Sequence, residues 1–340
     1  MKTKTILVTG AAGFIGFYLC KRLTELGHFV VGIDNINDFY DVNLKYDRLN
    51  VLGINTLDAC QWNTSSQSTL DRVNFTFIRA KIEDSEALNE IFQTYTFDVV
   101  CHLAAQVSVR SSEKRSDDYI ETNIKGFLNI LECCREYNIN RLVYASSSSV
   151  YGNSEVIPVQ EKAPTDQPLS FYAATKKSNE LMAHVYSHLY GIETIGLRFF
   201  TVYGPWGRPD MALFRFTDAV LKGKSINVFN YGNHVRDFTY IDDIIDGVER
   251  TLLHTSKNKA LYKLYNIGSS QPVELLDLID KIEAITGIQT QRSMQPPQAG
   301  DVHKTWANVE HLKTDYGYQP NTSLKNGVDA FVKWYKAYYI

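Results

Sequence analysis

The chain has 340 residues, of which 44% are hydrophobic and 21% are charged, and its formal net charge is -3. This composition predicts a globular protein with one large domain or two smaller ones, and the charge predicts no general attraction to nucleic acid or to membranes. No window is an uninterrupted apolar span, and the apolar run before Gly10 is too short for a signal or transmembrane segment. The five cysteines form neither a Cys-x-x-Cys pair nor a Cys/His pattern, so we expect reduced thiols, no metal site and a cytoplasmic location.

The first predicted unit is a strand, a glycine-rich turn, a helix and a second strand. Residues 5–9 are a short apolar run that leads into the turn at residues 10–16, and apolar residues then recur at helical spacing up to residue 26. A second apolar run ends on Asp34. Such glycines let a backbone approach a pyrophosphate at the helix N-terminus, and the acidic residue accepts hydrogen bonds from ribose hydroxyls. The unit predicts a dinucleotide site, and Asp34 would repel a 2'-phosphate, which favours NAD over NADP.

A long polar stretch follows at residues 35–72, where the sequence predicts no regular element. Loops of this length inside compact domains are often functional. Disorder of residues 55–70 is an equally good interpretation of the same composition.

Strand and helix patterns then alternate along the chain. The predicted strands are residues 74–78, 98–102, 141–146 and 193–198, and the predicted helices are residues 85–95, 117–137 and 171–190. Such alternation predicts an α/β fold with a parallel, doubly wound sheet of the Rossmann type, whose ligands bind at the carboxyl ends of the strands. Small residues after the strand at 98–102 would let a backbone approach a cofactor. Asn123 in the next helix can orient a nicotinamide ribose, or it can be a polar helix residue without that function.

Four serines, residues 146–149, end the strand that begins at residue 141 and precede Val150-Tyr151-Gly152. A hydroxyl at this position can hydrogen-bond both a substrate and a catalytic group and relay a proton. The run can also be a polar strand end, and the sequence does not say which hydroxyl points inward.

Tyr172 and Lys176 are four residues apart and lie on one face of a predicted helix. A lysine ammonium beside a phenol favours the phenolate and lowers a pKa that starts near ~10 by about one to three units. Tyr172 would then accept a proton near neutral pH. For an arbitrary pair of this spacing a shared solvated helix face is the simpler interpretation, but among the 21 tyrosines only Tyr172 has lysine four residues on.

The glycine turn, the serine run and the Tyr172-Lys176 pair follow one another along the chain. In this order the chain resembles the extended short-chain dehydrogenases/reductases of the nucleotide-sugar epimerase and dehydratase group over nearly its whole length. The resemblance implies that Ser147 is the catalytic hydroxyl, Tyr172 the acid/base and Lys176 its electrostatic partner, with Ser149 as a rival to Ser147. It also implies bound NAD. The implied NAD contacts are Gly10, Gly13, Phe14, Ile15, Gly16, Asp34, Asn35, Ile82, Asp84, Leu103, Ala104, Ala105, Asn123, Tyr172 and Lys176.

Three stretches, residues 34–45, 172–183 and 198–212, resemble the UDP-glucuronate 4-epimerases within this group. The resemblance implies C4 epimerisation of UDP-glucuronate and UDP-galacturonate through a 4-keto intermediate, with Thr201 and Arg208 on the sugar carboxylate. A guanidinium is a planar fork that suits a carboxylate, although a diphosphate contact or a surface position is the alternative for Arg208.

Other substrate contacts are implied by the same resemblance. Arg236 would meet the UDP diphosphate, Asp301 would lie at the uridine ribose, and further contacts would come from Ser147, Ser148, Ser149 and Met211. One departure concerns Lys81, where relatives usually carry an aspartate that accepts a hydrogen bond from the adenine amino group. Lysine cannot accept that bond, so this chain departs from the family pattern at the adenine contact.

The resemblance also implies a domain division and a homodimer. Residues 1–198 would form the NAD-binding domain, with part of 235–268 returning to it, and residues 199–340 would form a smaller mixed α/β domain for the UDP-sugar. The helices at 117–137 and 171–190 would pack between subunits.

Alternative functions remain open from the sequence. One is a 4-epimerase of UDP-glucose or UDP-N-acetylhexosamine, and another is a non-catalytic NAD-binding Rossmann module. Dehydratases and decarboxylases of the group fit less well, because they typically carry acidic residues where this chain has Ser148 and Ser149.

Overall fold

The computed structural model describes residues 2–109, 111–297 and 303–340. Its strands are β1 (Thr5–Thr9), β2 (Phe29–Asp34), β3 (Ser65–Gln67), β4 (Phe75–Arg79), β5 (Val99–His102), β6 (Arg141–Ser147), β7 (Glu193–Phe199), β8 (Thr201–Tyr203), β9 (Ile226–Val228), β10 (Val235–Tyr240), β11 (Tyr262–Ile267), β12 (Pro272–Glu274), β13 (Arg292–Met294) and β14 (Lys304–Thr305). Its α-helices are α1 (Phe14–Glu25), α2 (Asn43–Val51), α3 (Thr56–Ala59), α4 (Ser85–Thr94), α5 (Ser116–Tyr119), α6 (Phe127–Glu136), α7 (Phe171–Tyr190), α8 (Ala212–Leu221), α9 (Ile241–Leu253), α10 (Leu275–Thr286), α11 (Glu310–Tyr316) and α12 (Leu324–Tyr339). Within the described ranges, every helix is too short or too polar to cross a membrane.

Eight strands form one large sheet in the order β11-β7-β6-β5-β1-β2-β4-β3. Neighbouring strands are parallel except for β3, which runs antiparallel to β4. The chain winds outward in both directions from β1, which lies between β2 and β5. In parallel α/β sheets such a reversal of strand order opens a crevice at the carboxyl ends of the strands. The predicted doubly wound parallel sheet is confirmed.

Apolar side chains cover both faces of this sheet. In β1 the side chains alternate, so that Ile6 and Val8 join one apolar cluster while Leu7 joins the other. The first cluster includes residues of α1 and α9, and the second includes residues of α4, α6 and α7. Burial on both faces explains why these strands are nearly continuous apolar runs.

A third apolar cluster lies outside the large sheet. It joins α8, α10 and α12 through residues such as Phe214, Ile279 and Phe331. A small sheet beside it is centred on β10, which pairs with β8, β12 and β14. After this region the chain returns to the large sheet, where β11 pairs with β7. The domain boundary at residue 198 stays a prediction.

The prediction that residues 35–72 lack regular elements is wrong. This segment contains α2, α3 and β3. Its anchor is Arg48, which is fully buried and donates hydrogen bonds to Ala12 O at 2.9 Å, Tyr40 Oη at 2.7 Å and Trp206 O at 2.5 Å. In α2 the buried polar residues Lys45 and Arg48 lie between the buried apolar residues Leu44 and Leu49, so hydrophobic periodicity alone does not reveal this helix.

Candidate active site

A cavity of about 630 Å³ lies at the carboxyl edge of the large sheet. The turn after β1 and the ends of β2, β5 and β6 form one side, and residues of β8, α8 and β10 form the other. Its volume is within the range of small-molecule sites. The position agrees with the crevice expected where the strand order reverses.

Most of the predicted site residues line this cavity. They are Gly10, Gly13, Phe14, Ile15, Gly16, Asp34, Asn35, Ile82, Leu103, Ala104, Ala105, Ser147, Ser148, Ser149, Tyr172, Lys176, Thr201, Arg208, Met211 and Arg236. Asp301 lies outside the described residues.

Asp84 and Asn123 are not among the residues that line the cavity, and their contact with the cofactor stays a prediction. The Asp84 carboxylate caps α4 by accepting a hydrogen bond from Ala87 N at 3.1 Å. Asn123 is buried in a π-helical segment, Ile120–Gly126, that joins α5 to α6. Its Oδ1 accepts a hydrogen bond from Gln106 N at 2.8 Å. Its Nδ2 donates to Gln106 O and to Thr175 Oγ1, each at 3.0 Å. Asn123 therefore positions a wall of the cavity and the helix that carries Lys176.

The glycine-rich turn leaves no room for a Cβ atom at two of its glycines. Gly10 has a φ of +73°, and a Cβ there would lie 2.9 Å from Ala104 N. A Cβ on Gly16 would lie 2.0 Å from Gly10 O. Both positions therefore require glycine, and the backbone at the start of α1 stays open to a ligand.

Asp34 ends β2 with its carboxylate at the cavity wall. It accepts hydrogen bonds from Ile36 N at 2.7 Å and Ala12 N at 3.2 Å. The ammonium of Lys45 lies 3.8 Å from its Oδ1 and donates to Asn37 Oδ1 at 3.0 Å. Lys45 is almost fully buried and lines the cavity, so the acidic residue has a cation as its neighbour.

The electrostatics of Tyr172 differ from the expectation. Burial raises the pKa of Tyr172 above its usual value, although a hydrogen bond with Ser147 and the charge of Arg208 both act to lower the pKa. Lys176 is not among the groups that lower this pKa, and its ammonium donates to Ala145 O at 2.8 Å. Burial lowers the pKa of Lys176 itself to about 8. The prediction of a Tyr172 pKa lowered by Lys176 is wrong in this structure, since desolvation outweighs the favourable charges.

The four serines differ in their surroundings. Ser146 is buried and donates to Glu180 Oε1 at 2.7 Å, away from Tyr172. Ser147 interacts with the Tyr172 hydroxyl, and its Oγ also accepts a hydrogen bond from Ser149 N at 3.2 Å. The geometry brings Ser147, rather than Ser149, together with Tyr172.

Two of the predicted site residues on the far wall of the cavity are arginines, Arg208 and Arg236. Arg208 forms a bidentate ion pair with Asp210, with Nε 3.0 Å from Oδ1 and Nη2 2.6 Å from Oδ2. Burial disfavours the Arg208 cation, but the pairing with Asp210 prevails and raises the pKa of Arg208. Arg236 donates to Val235 O and His303 O, each at 3.1 Å. Thr201, at the start of β8, lines the cavity on the same side.

Comparison with known proteins identifies the family. The profile of the NAD dependent epimerase/dehydratase family matches residues 6–268. The chain belongs to this family. It is 47% identical to Protein CapI of Staphylococcus aureus, over 98% of this chain and 99% of that protein. It is 42% identical to UDP-glucuronate 4-epimerase 2 of Arabidopsis thaliana, over 98% of this chain and 76% of that protein.

A solved member of the NAD dependent epimerase/dehydratase family is similar over the whole fold. The crystal structure of UDP-glucuronic acid 4-epimerase from Bacillus cereus, in complex with UDP-glucuronic acid and NAD, matches with a TM-score of 0.87. The identity is 35%, over 98% of this chain and 100% of that chain.

The NAD cofactor of the family fits the residues present. The three glycines of the turn have no side chains that could obstruct a pyrophosphate, and the helix N-terminus lies at Phe14 within the turn. The Asp34 carboxylate is available to ribose hydroxyls at the end of β2, as in other dinucleotide sites. Tyr172 and Lys176 lie further along the same cavity.

Several cavity residues were not predicted from the sequence. They are Asn37, Phe39, Tyr40, Lys45, Gln106, Asp210 and Arg215, among others. Five of them lie in stretches that carried the family resemblance, residues 34–45 and 198–212, so the similarity of those stretches was a usable signal. No local pattern distinguishes the polar residues of these stretches that line the cavity from those that do not, because the contacts join segments far apart in the chain.

Proposed function

We propose that this protein is a UDP-glucuronate 4-epimerase that interconverts UDP-glucuronate and UDP-galacturonate through a 4-keto intermediate with NAD bound throughout. The observation that carries the proposal is the position of Arg208. Its guanidinium lines the same cavity as Tyr172 and is close enough for its charge to affect the Tyr172 pKa. A sugar whose C4 hydroxyl meets Tyr172 would bring a C6 carboxylate to this cation.

The proposed chemistry is proton transfer coupled to hydride transfer at C4. When bound, NAD supplies the hydride acceptor and donor. Tyr172, assisted by the Ser147 hydroxyl, takes the proton of the C4 hydroxyl and later returns it to the C4 oxygen. Between the two transfers the flat 4-keto sugar turns within the cavity and presents its other face. The cycle leaves the oxidation states of sugar and cofactor unchanged. Because NAD does not need to be exchanged between cycles, it should copurify with the protein.

The carboxylate needs protection during this cycle. A carboxylate β to the C4 ketone loses carbon dioxide when the C5-C6 bond stands perpendicular to the carbonyl plane. Arg208 and Thr201 would hold the carboxylate in another rotation and stabilise its charge in the ground state. This accounts for epimerisation without formation of a UDP-pentose.

We further infer that the enzyme is a homodimer. On α7 an apolar stripe at four-residue spacing is exposed, with 58% of Leu181, 46% of Val185 and 60% of Leu189 accessible. Leu128, on the adjacent helix α6, is also exposed. Contiguous apolar helix faces of this kind favour contact with a second copy.

The test is incubation with UDP-glucuronate and with UDP-glucose in separate reactions, without added NAD, and identification of products by NMR. We expect UDP-glucuronate to give UDP-galacturonate and UDP-glucose to remain unchanged. Conversion of UDP-glucose alone would overturn the uronate assignment. Tyr172→Phe should retain bound NAD and lose nearly all turnover, whereas a protein that only binds NAD would behave alike with either residue.

A further inference from the structure

The guanidinium of Arg208 has two edges that can each hold a carboxylate. Asp210 occupies the edge formed by Nε and Nη2, at 3.0 and 2.6 Å. The second edge is formed by Nη1 and the outer proton of Nη2. In the part of the chain that the structure describes, Nη1 of Arg208 has no hydrogen-bond partner. Both residues line the cavity, and 21% of the Arg208 side chain is exposed.

We propose that Asp210 is a positioning residue that sets substrate specificity by holding Arg208 so that its second edge receives the uronate carboxylate. The inference rests on the proposed function. Arginine has a long side chain with many rotamers, and fixing such a side chain on binding costs affinity. The bidentate contact with Asp210 orders the Arg208 side chain before the sugar binds, so sugar binding does not carry this entropic cost.

The remaining contacts of Arg208 would not fix its orientation alone. The guanidinium carbon lies 5.8 Å from the centre of the Phe39 ring, which is a contact that tolerates rotation. Asp210 is two residues away on the loop before α8, so the two side chains move with the same backbone segment. Loss of the Asp210 charge therefore removes the contact that defines the direction of the second edge.

The product distribution should report this orientation. If the carboxylate is free to rotate at the 4-keto stage, the C5-C6 bond can break with its electron pair moving into the C4-C5 bond to give an enolate, and carbon dioxide leaves. A proton from water then adds to C5, and return of the hydride to C4 with a proton on its oxygen gives a UDP-pentose. The same hydride that left C4 is returned, so the balance requires no additional oxidant or reductant.

The experiment compares wild type, Asp210→Asn, Asp210→Glu and Asp38→Asn, each purified with its bound cofactor. Asp38 is exposed, adjoins Phe39 and does not line the cavity, so its variant removes the same charge nearby. For Asp210→Asn we expect KM for UDP-glucuronate to rise about tenfold, which corresponds to about 1.4 kcal/mol. We also expect UDP-pentose among its products, while Kd for UDP, which lacks the sugar, stays unchanged. Asp210→Glu, which keeps the carboxylate, should recover most of the wild-type behaviour, and Asp38→Asn should match wild type.

A double-mutant cycle provides the second measurement. If Asp210 acts through Arg208, adding Asp210→Asn to Arg208→Ala should change neither KM nor the product ratio further. The inference is overturned if Asp210→Asn has wild-type KM and products, or if it weakens UDP and UDP-glucuronate equally. It is also overturned if the effects of the two substitutions add. Failure of the proposed function would appear separately, as wild-type enzyme that does not convert UDP-glucuronate.

Discussion

The ammonium of Lys176 donates a hydrogen bond to the main-chain oxygen of Ala145 at 2.8 Å. This contact ties α7 to the end of β6. The ammonium is buried, and its pKa is lowered to about 8 by the loss of hydration. Lys176 therefore loses its proton in the folded protein at a lower pH than in the unfolded chain.

The first prediction concerns stability and pH in protein stripped of NAD. Between pH about 8 and 10.5 only the unfolded chain holds a proton on Lys176, so this group makes the free energy of unfolding rise with pH in that window. Lys176→Met removes the titrating group. The variant should be relatively more stable at pH 7.5, and its advantage in Tm should shrink as the pH approaches 10. A difference in Tm that is independent of pH would contradict the assigned titration.

The serine run gives a second prediction. Ser147→Ala should lower kcat about 100-fold because it removes the hydroxyl beside Tyr172. Ser146→Ala should mainly lower Tm, since its hydroxyl bonds the buried carboxylate of Glu180. Steady-state rates and thermal unfolding of the two variants and of Ser149→Ala separate these effects. A larger loss of kcat for Ser149→Ala than for Ser147→Ala would transfer the role to Ser149.

Cofactor choice gives a third prediction. With Asp34→Asn the repulsion of a 2'-phosphate disappears and the Lys45 ammonium remains, so affinity for NADP should rise by about tenfold or more relative to NAD. The gain should vanish in the double variant with Lys45→Met. Fluorescence titration of stripped protein with both cofactors measures the ratio. An equal gain with and without Lys45 would exclude this lysine from the phosphate contact.

Arg48 gives a fourth prediction, because it links three segments of the site. Arg48→Met leaves the oxygens of Ala12 and Trp206 without their donor, which should cost about 2 kcal/mol of stability. NAD retention and KM for UDP-glucuronate should both worsen, since one residue supports the glycine turn and the loop before Arg208. Chemical denaturation and the cofactor content after purification report the two effects. Normal NAD content with a lower stability would limit Arg48 to a structural role.

The fifth prediction addresses the apolar stripe on α7. Leu181→Glu and Leu189→Glu should convert a dimer to a monomer in sedimentation experiments, because each would bury a charge in the interface. Leu57 is 80% exposed in α3, away from this stripe, and Leu57→Glu is the matched control. Unchanged sedimentation of the α7 variants would exclude this face as the contact.

Apolar runs and periodicity predicted six of the eight strands of the large sheet and the helices α1, α4, α6 and α7, but they did not predict β3, β11 or α9. The central strands of this sheet are buried on both faces and therefore read as apolar runs. The glycine turn is recognisable in the sequence because Gly10 and Gly16 have no space for a Cβ. The same approach failed for α2, because the buried Lys45 and Arg48 interrupt the apolar pattern of Leu44 and Leu49 on its buried face. It also could not reveal that the Lys176 ammonium donates a hydrogen bond to Ala145 O.

The site residues of the second half depended on family similarity. Thr201 and Arg208 follow β7 in a segment whose position is set by pairing with β10, more than 30 residues later in the chain. No local pattern indicates that Asp210 will share the Arg208 guanidinium. Such contacts follow from tertiary structure, which the sequence of either segment does not contain.

The short strand β3 has a consequence for self-association. Its residues Ser65–Gln67 pair antiparallel with β4, whose sequence is apolar and mostly buried. Without β3, the apolar strand β4 would be the open edge of the remaining seven-stranded sheet, and open edges template intermolecular β-pairing and aggregation. A three-residue polar strand ends that sheet instead. Deletion of residues 60–70 should therefore yield a protein that precipitates at concentrations where the intact chain stays dispersed.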